Sequence, residues 1–266
     1  MPRTSLNGCD YFYEETGAGP ETIVFGHGFL MTHRLWESQL DALGDRYRCL
    51  ALDWRGQGWS TVPNHGYELS SLTADLIAFI ETLVEGPCHY VGLSMGGFTG
   101  LRLLGRRPDL VRSAVLMSTQ AHPEDETNQL QYRALLEGTR RLGYGPFIDR
   151  VLPMLFSPAF LNDSERHREV ERWRGIIQSN DPEGIYRTGR SIFWRNDLRD
   201  DLSRIETPVL LLAGADDIAI SPDRTRAAHA QIPSSEFAVI PAAGHSAPVE
   251  RPAVVTDLLR RFISKH

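Results

Sequence analysis

Three residue types that together make a nucleophile occur along this chain in a usable order. Ser94 stands at the centre of Gly92-Leu93-Ser94-Met95-Gly96-Gly97, an aspartate follows as Asp216 or Asp217 after Gly214, and His245 follows Gly244. A serine hydroxyl attacks a carbonyl only when a neighbouring base takes its proton, and that base works best when a carboxylate holds it in one tautomer. The glycines on either side of Ser94 fit a sharp strand-to-helix turn, which leaves no room for a Cβ two positions away from the serine. Such a turn lifts the hydroxyl beyond the sheet and opens the first amides of the following helix toward developing negative charge. A second loop, Gly26-His27-Gly28-Phe29, follows a short apolar run and can point a backbone amide to the same side. Taken singly, His27, His89 and His122 have the ordinary reading of structural histidines.

The elements that must position these residues alternate. Apolar runs at Thr22-Ile23-Val24-Phe25, Tyr47 to Leu52, Cys88 to Leu93, Val111 to Ser118, Thr207 to Ala213 and Glu236 to Ile240 read as strands, and Asp10 to Glu14 reads as an aromatic strand before them. Between them, Leu72, Leu76, Ile80 and Leu83 repeat at helical spacing, and Phe98 to Arg107 continues the serine turn as a helix stopped by Pro108. Gly44 is placed to cap the helix carrying Trp36, Leu40 and Leu43, Pro222 to Gln231 forms another helix, and Pro252 opens a last one. Alternation of this kind implies right-handed crossovers and a mostly parallel sheet, whose ligands bind beyond the C-terminal strand ends. The Gly28, Asp53 and Ser94 loops all lie at that edge. Asp53 and Arg55, in Asp53-Trp54-Arg55-Gly56-Gln57-Gly58, are read as members of a turn that hydrogen-bonds its own backbone.

From residue 121 to 202 the pattern changes to helical stretches rich in Arg and Glu, broken by Pro and Gly. This is read as a helical lid inserted into a core formed by 1–120 and 203–266. Its charged run from Glu165 to Arg174 reads as a solvated helix face. Its bulky apolar residues, Phe147, Met154, Leu155, Phe156, Phe160, Trp173, Ile176, Phe193 and Trp194, exceed the needs of a small bundle, and some of them, which residue type does not single out, are expected to wall a pocket above Ser94.

Composition narrows the function further. With 266 residues, 41% of them hydrophobic, 23% charged and a net charge of −6, the chain can bury a large core and carries no basic stripe for nucleic acid. Cys9, Cys49 and Cys88 are odd in number and far apart, so reduced thiols are expected rather than a disulfide framework or metal cluster. No stretch reaches the length of a membrane span and no secretory h-region follows the N-terminus, so a cytoplasmic location without a membrane partner is expected. Oligomeric state, a homodimer included, is left open.

Over essentially its whole length the sequence resembles the α/β-hydrolase superfamily, through Gly26-His27-Gly28, Asp53-x-Arg55-Gly56-x-Gly58-x-Ser60, the Ser94 turn, Gly214-x-x-Asp217 and Gly244-His245. The resemblance implies an α/β fold with a mostly parallel central sheet flanked by helices. It also implies Ser94 as nucleophile, His245 as base, Asp217 rather than Asp216 as the orienting carboxylate, and the Phe29 and Met95 amides as an oxyanion hole, with no cofactor and no metal. Within the superfamily the chain looks most like small esterases, 3-oxoadipate enol-lactonases and cofactor-free haloperoxidase-type perhydrolases. The expected function is cleavage of a small carboxylic ester or lactone through an acyl-enzyme. Two alternatives stand beside it: a C–C hydrolase of the meta-cleavage type, which Ser246 disfavours where that group tends to place tryptophan, and a non-catalytic relative that binds a small ligand.

Overall fold

The computed structural model describes residues 2–266, apart from the side chain of Asp200. Eight strands form one sheet in the order β1-β2-β4-β3-β5-β6-β7-β8. β1 (Arg3–Leu6) pairs antiparallel with β2 (Cys9–Thr16), and β2 pairs antiparallel with β4 (Arg48–Leu52). The remaining pairs are parallel: β3 (Thr22–Gly26) lies between β4 and β5 (Cys88–Leu93), followed by β6 (Val111–Met117), β7 (Val209–Gly214) and β8 (Ser235–Ile240). β5 and β7 are buried at every position, as strands covered on both faces must be.

Helices α1 (Glu37–Leu43), α2 (Leu69–Leu83) and α3 (Met95–Arg106) fall in the first half of the chain. Six further helices are inserted between β6 and β7 as a lid-like layer: α4 (Glu126–Leu142), α5 (Ile148–Leu155), α6 (Pro158–Leu161), α7 (His167–Gln178), α8 (Pro182–Phe193) and α9 (Arg199–Leu202). α10 (Pro222–His229), α11 (Ala247–Glu250) and α12 (Pro252–Ile263) complete the order. Two buried clusters make the core. One joins Phe25, Trp36, Val91 and Leu212 to Trp173 and Phe156 of the inserted layer and Phe262 of α12, and the other joins Val24, Trp54, Tyr90 and Leu211 to Leu76 and Phe79 of α2. The insertion therefore shares the core of the sheet domain. Among the described residues no helix is long and apolar enough to cross a membrane, and the three cysteines are free and buried.

Several boundaries differ from expectation. β1 carries no apolar alternation and is largely exposed, so periodicity could not mark it. Gly44 caps α1 with φ −63°, a helical value any residue adopts, so its left-handed freedom is not used. α10 ends at His229, two residues before Gln231. Arg55 donates to the His65 carbonyl of its own loop at 2.9 Å, as expected, and also reaches beyond that loop. It is buried against Asp75 of α2 at 2.6 Å, with the Tyr11 hydroxyl also donating to Asp75.

Candidate active site

The turn after β5 is tight for a definable reason. A Cβ on Gly92 would lie 2.6 Å from the Gly96 carbonyl carbon, and one on Gly96 would lie 2.2 Å from the Gly26 carbonyl oxygen. Between them Ser94 adopts φ 52° and ψ −108°, a left-handed strain costing roughly 1–3 kcal/mol that the packed strands β3 and β5 must sustain. The Ser94 amide donates to the Met117 carbonyl at 2.9 Å, which fixes the turn to β6.

Asp217 follows β7 and is buried, whereas Asp216 is exposed and donates only its backbone amide, to the Ala243 carbonyl. One Asp217 carboxylate oxygen accepts the Ala219 and Ile220 amides, both at 2.9 Å, and the other faces His245 Nδ1 at 2.9 Å. With the carboxylate accepting, Nδ1 carries the proton and Nε2 presents a lone pair. A Cβ on Gly214 would lie 2.1 Å from the Gly244 carbonyl oxygen, so the Asp217 and His245 loops approach as closely as glycine allows.

Ser94 and His245 line one cavity of about 90 Å³, together with Phe29, Met154, Phe193 and Ile220. Of the nine bulky apolar residues of the insertion, Met154, Leu155 and Phe193 are among those that wall it. Trp194 is exposed and lines a separate open groove, and Phe156, Phe160 and Trp173 are core residues. A Cβ on Gly28 would lie 3.5 Å from Ser94 Cβ, which brings the Gly26-His27-Gly28-Phe29 loop against the serine. Within the described residues neither the Phe29 amide nor the Met95 amide has an acceptor.

His27 and His89 have structural roles. His27 Nε2 accepts the Trp54 amide at 3.1 Å while Nδ1 donates to the Gly28 carbonyl at 2.7 Å, and complete burial pulls its pKa to about 4. His89 pairs with the Ser113 hydroxyl at 2.8 Å and is likewise lowered to about 4 by burial. The His122 carbonyl accepts from Arg195.

Three positioning residues escape sequence reasoning. Buried Gln57 accepts the Leu30 amide at 2.8 Å through Oε1 and places Nε2 3.8 Å from Met95 Sδ, so it bridges the loop bearing Phe29 and the start of α3. Asn180 of the insertion donates to the Leu30 carbonyl at 3.0 Å and accepts the Gly58 amide at 2.9 Å. Leu30 is held at φ 68° between them. Glu250 accepts the Gly244 and Ser157 amides, each at 3.0 Å, and burial raises its carboxyl above the usual range. A polar residue between two glycines is the sole sequence signal for Gln57, and Glu250 lies on a short helix that no periodicity marks.

Comparison with known proteins gives the family. Residues 21–252 match the sequence pattern of the alpha/beta hydrolase fold. The chain belongs to the α/β-hydrolase family. Among relatives of this α/β hydrolase is the 3-oxoadipate enol-lactonase 2 of Acinetobacter baylyi, 30% identical over 73% of this chain and 71% of that one. Its structure is similar to a thermophilic esterase from Thermogutta terrifontis at TM-score 0.91 and 30% identity, covering 100% and 99% of the two chains. It also matches the enol-lactonase from Burkholderia xenovorans LB400 at TM-score 0.92 and 26% identity, covering 99% and 100%.

Proposed function

We propose that this hydrolase cleaves small carboxylic esters or lactones through an acyl-enzyme on Ser94. The observation that carries the reading is the Asp217–His245 hydrogen bond of 2.9 Å at the cavity that Ser94 lines. In this chemistry the Ser94 oxygen attacks the acyl carbon as its proton passes to His245 Nε2. The Phe29 and Met95 amides donate to the carbonyl oxygen as it becomes an oxyanion, an interaction worth about 3 kcal/mol per donor in comparable sites. The imidazolium, stabilised by Asp217, returns the proton to the leaving alkoxide, or to the ring oxygen of a lactone. Water then attacks the acyl-enzyme by the same route and releases the acid.

A cavity of about 90 Å³ with mostly apolar walls suits a short acyl group or compact ring. The esterase and enol-lactonase names of the relatives support the same substrate class. Turnover of p-nitrophenyl esters and simple lactones of graded chain length tests the reading, with short chains expected to give the highest kcat/KM. Preference for long-chain triglycerides would contradict it. Binding without turnover would favour a ligand receptor, and cleavage restricted to vinylogous diketones a C–C hydrolase.

A further inference from the structure

The open groove that Trp194 lines lies apart from Ser94 and His245, neither of which borders it. It runs between α3 and the segment leading into α2 on one side and α8, α9 and the residues joining them on the other, and it holds about 1100 Å³. That is room for a small molecule of several rings and charged groups. Most of its carboxylates are already paired: Glu183 with Arg187 and Arg140, Asp197 with Arg199, and Asp201 with Arg204. Glu68 is exposed and accepts from the Ser71 hydroxyl. Arg195, which borders both this groove and the Ser94 cavity, pairs with Glu124.

Three further guanidiniums have no such complement. Arg102, Arg106 and Arg190 line the groove, and among the described residues none of the three has a carboxylate within ion-pair distance. Arg102 donates to the Phe98 carbonyl at 3.0 Å and the Asn196 carbonyl at 3.5 Å, Arg106 donates to the Ser70 carbonyl at 3.2 Å, and Arg190 lies 5.9 Å from the centre of the Tyr186 ring. Each guanidinium has five N–H groups, so at least three per residue remain, and carbonyl partners leave the charge uncancelled.

The spacing gathers these side chains. Arg102 and Arg106 are four residues apart on α3, and Arg190 and Trp194 are four apart on α8 and its C-terminal cap, so each pair shares one helix face. Like charges at that spacing repel. Burial, with the neighbouring Arg195 and Arg106 charges, lowers the pKa of Arg102 to about 10. A bound anion would relieve that repulsion. Guanidiniums on two helices suit the several oxygens of joined phosphates. Trp194, 42% exposed, offers a flat indole on which a base can stack. The chain's net charge of −6 disfavours a long polyanion and leaves a compact one as the complement.

We propose that this groove binds a nucleoside diphosphate, with its phosphates on Arg102, Arg106 and Arg190 and its base on Trp194. A ligand seated there bridges α3, which starts at the Ser94 turn, and α8 of the inserted layer, and so stabilises the docking of that layer on the sheet domain.

The test is isothermal titration calorimetry of the whole protein with ADP, pyrophosphate and adenosine, with EDTA present so that no divalent cation carries the phosphates. ADP should bind one-to-one with a Kd below about 0.1 mM, at least tenfold tighter than either pyrophosphate or adenosine. Arg106→Gln combined with Arg190→Gln, at two exposed positions, should weaken ADP and pyrophosphate alike by at least tenfold. Trp194→Leu should weaken ADP by at least fivefold and leave pyrophosphate within twofold, and it gives an independent reading should the double variant fail to fold. Weaker ADP binding by the wild-type protein, equal affinity for ADP and pyrophosphate, or ADP affinity unchanged in either variant overturns the proposal.

Discussion

Among the described residues two buried aspartate–histidine pairs are hydrogen-bonded side chain to side chain, and only one of them adjoins the serine cavity. Asp53 and His33 face each other at 3.0 Å, Asp217 and His245 at 2.9 Å, and all four residues are buried. Neither distance nor burial tells them apart. What differs is where the imidazole's second nitrogen goes. His33 Nε2 faces Glu14 at 3.4 Å, and its ring lies between Phe12 and Trp59. Asp53 also accepts the His33 amide at 2.6 Å and the Trp59 amide at 2.8 Å, so this pair fastens two loops. His245 instead borders the Ser94 cavity, which Phe29 also lines. A carboxylate–imidazole pair is thus a common structural fastener, and it gains a chemical role from the hydroxyl and the cavity beside it.

The largest expected effect separates the two pairs by activity. Asp217→Asn should lower kcat by about 10⁴-fold, because the imidazole loses the acceptor that fixes its tautomer. Asp216→Asn, exposed and bonded only through its backbone, should stay within threefold of wild type. Steady-state kinetics on variants with matched circular dichroism provide the check, and the opposite ranking would move the orienting role to Asp216.

Asp53→Asn should act on stability instead. Removing the charge from an aspartate that accepts two backbone amides and an imidazole should cost about 3 kcal/mol in urea unfolding, while the folded fraction keeps kcat within tenfold. A 10⁴-fold loss of kcat in folded Asp53→Asn would dissolve the distinction between the pairs.

A somewhat smaller effect concerns pH. His27 has an ordinary pKa of 6.5 and a folded value of about 4 because burial penalises its charge. The unfolded chain therefore binds the proton first, and stability present above pH 6.5 is lost as the pH falls toward 4. For this residue the loss is about 2 kcal/mol at pH 5. Urea unfolding at pH 8 and pH 5 should show that part of the loss disappearing in His27→Gln. An unchanged pH dependence in the variant would mean that His27 is not buried neutral.

The smallest effect tests the loop next to Ser94. Gln57→Leu removes the acceptor of the Leu30 amide and should lower kcat by about tenfold, with KM for small esters nearly unchanged, since small displacements of oriented donors are costly. Equal changes in kcat and KM would indicate a substrate-binding role instead.

The parallel half of the sheet was legible because β5, β6 and β7 are largely apolar runs and glycine marks the C-terminal ends of β5 and β7 at Gly92 and Gly214. β1 was not, since an exposed edge strand needs no pattern. Ser94 could be singled out because Gly92 and Gly96 are demanded by backbone contacts under 3 Å, a constraint written directly into residue type. The choice of Asp217 over Asp216 came from the family's spacing, and burial of Asp217 beside His245 agrees with it. Gln57, Asn180 and Glu250 stayed hidden for one reason: each acts through partners distant in sequence, and a polar residue in a loop or a helical insertion has no periodicity to announce it. Met154 and Phe193 could be named as candidates for the pocket wall, but not separated from Phe156 and Trp173, because apolar character alone does not say which face of the inserted layer a side chain covers.

The nucleophilic role of Ser94 is tested most directly by treating the folded protein with a fluorophosphonate and mapping the adduct by peptide mass spectrometry. A single phosphonyl group on the peptide containing Ser94, formed much more slowly in Asp217→Asn but at near wild-type rate in Asp53→Asn, is the expected result. An unmodified protein, or an adduct on any other residue, would contradict it.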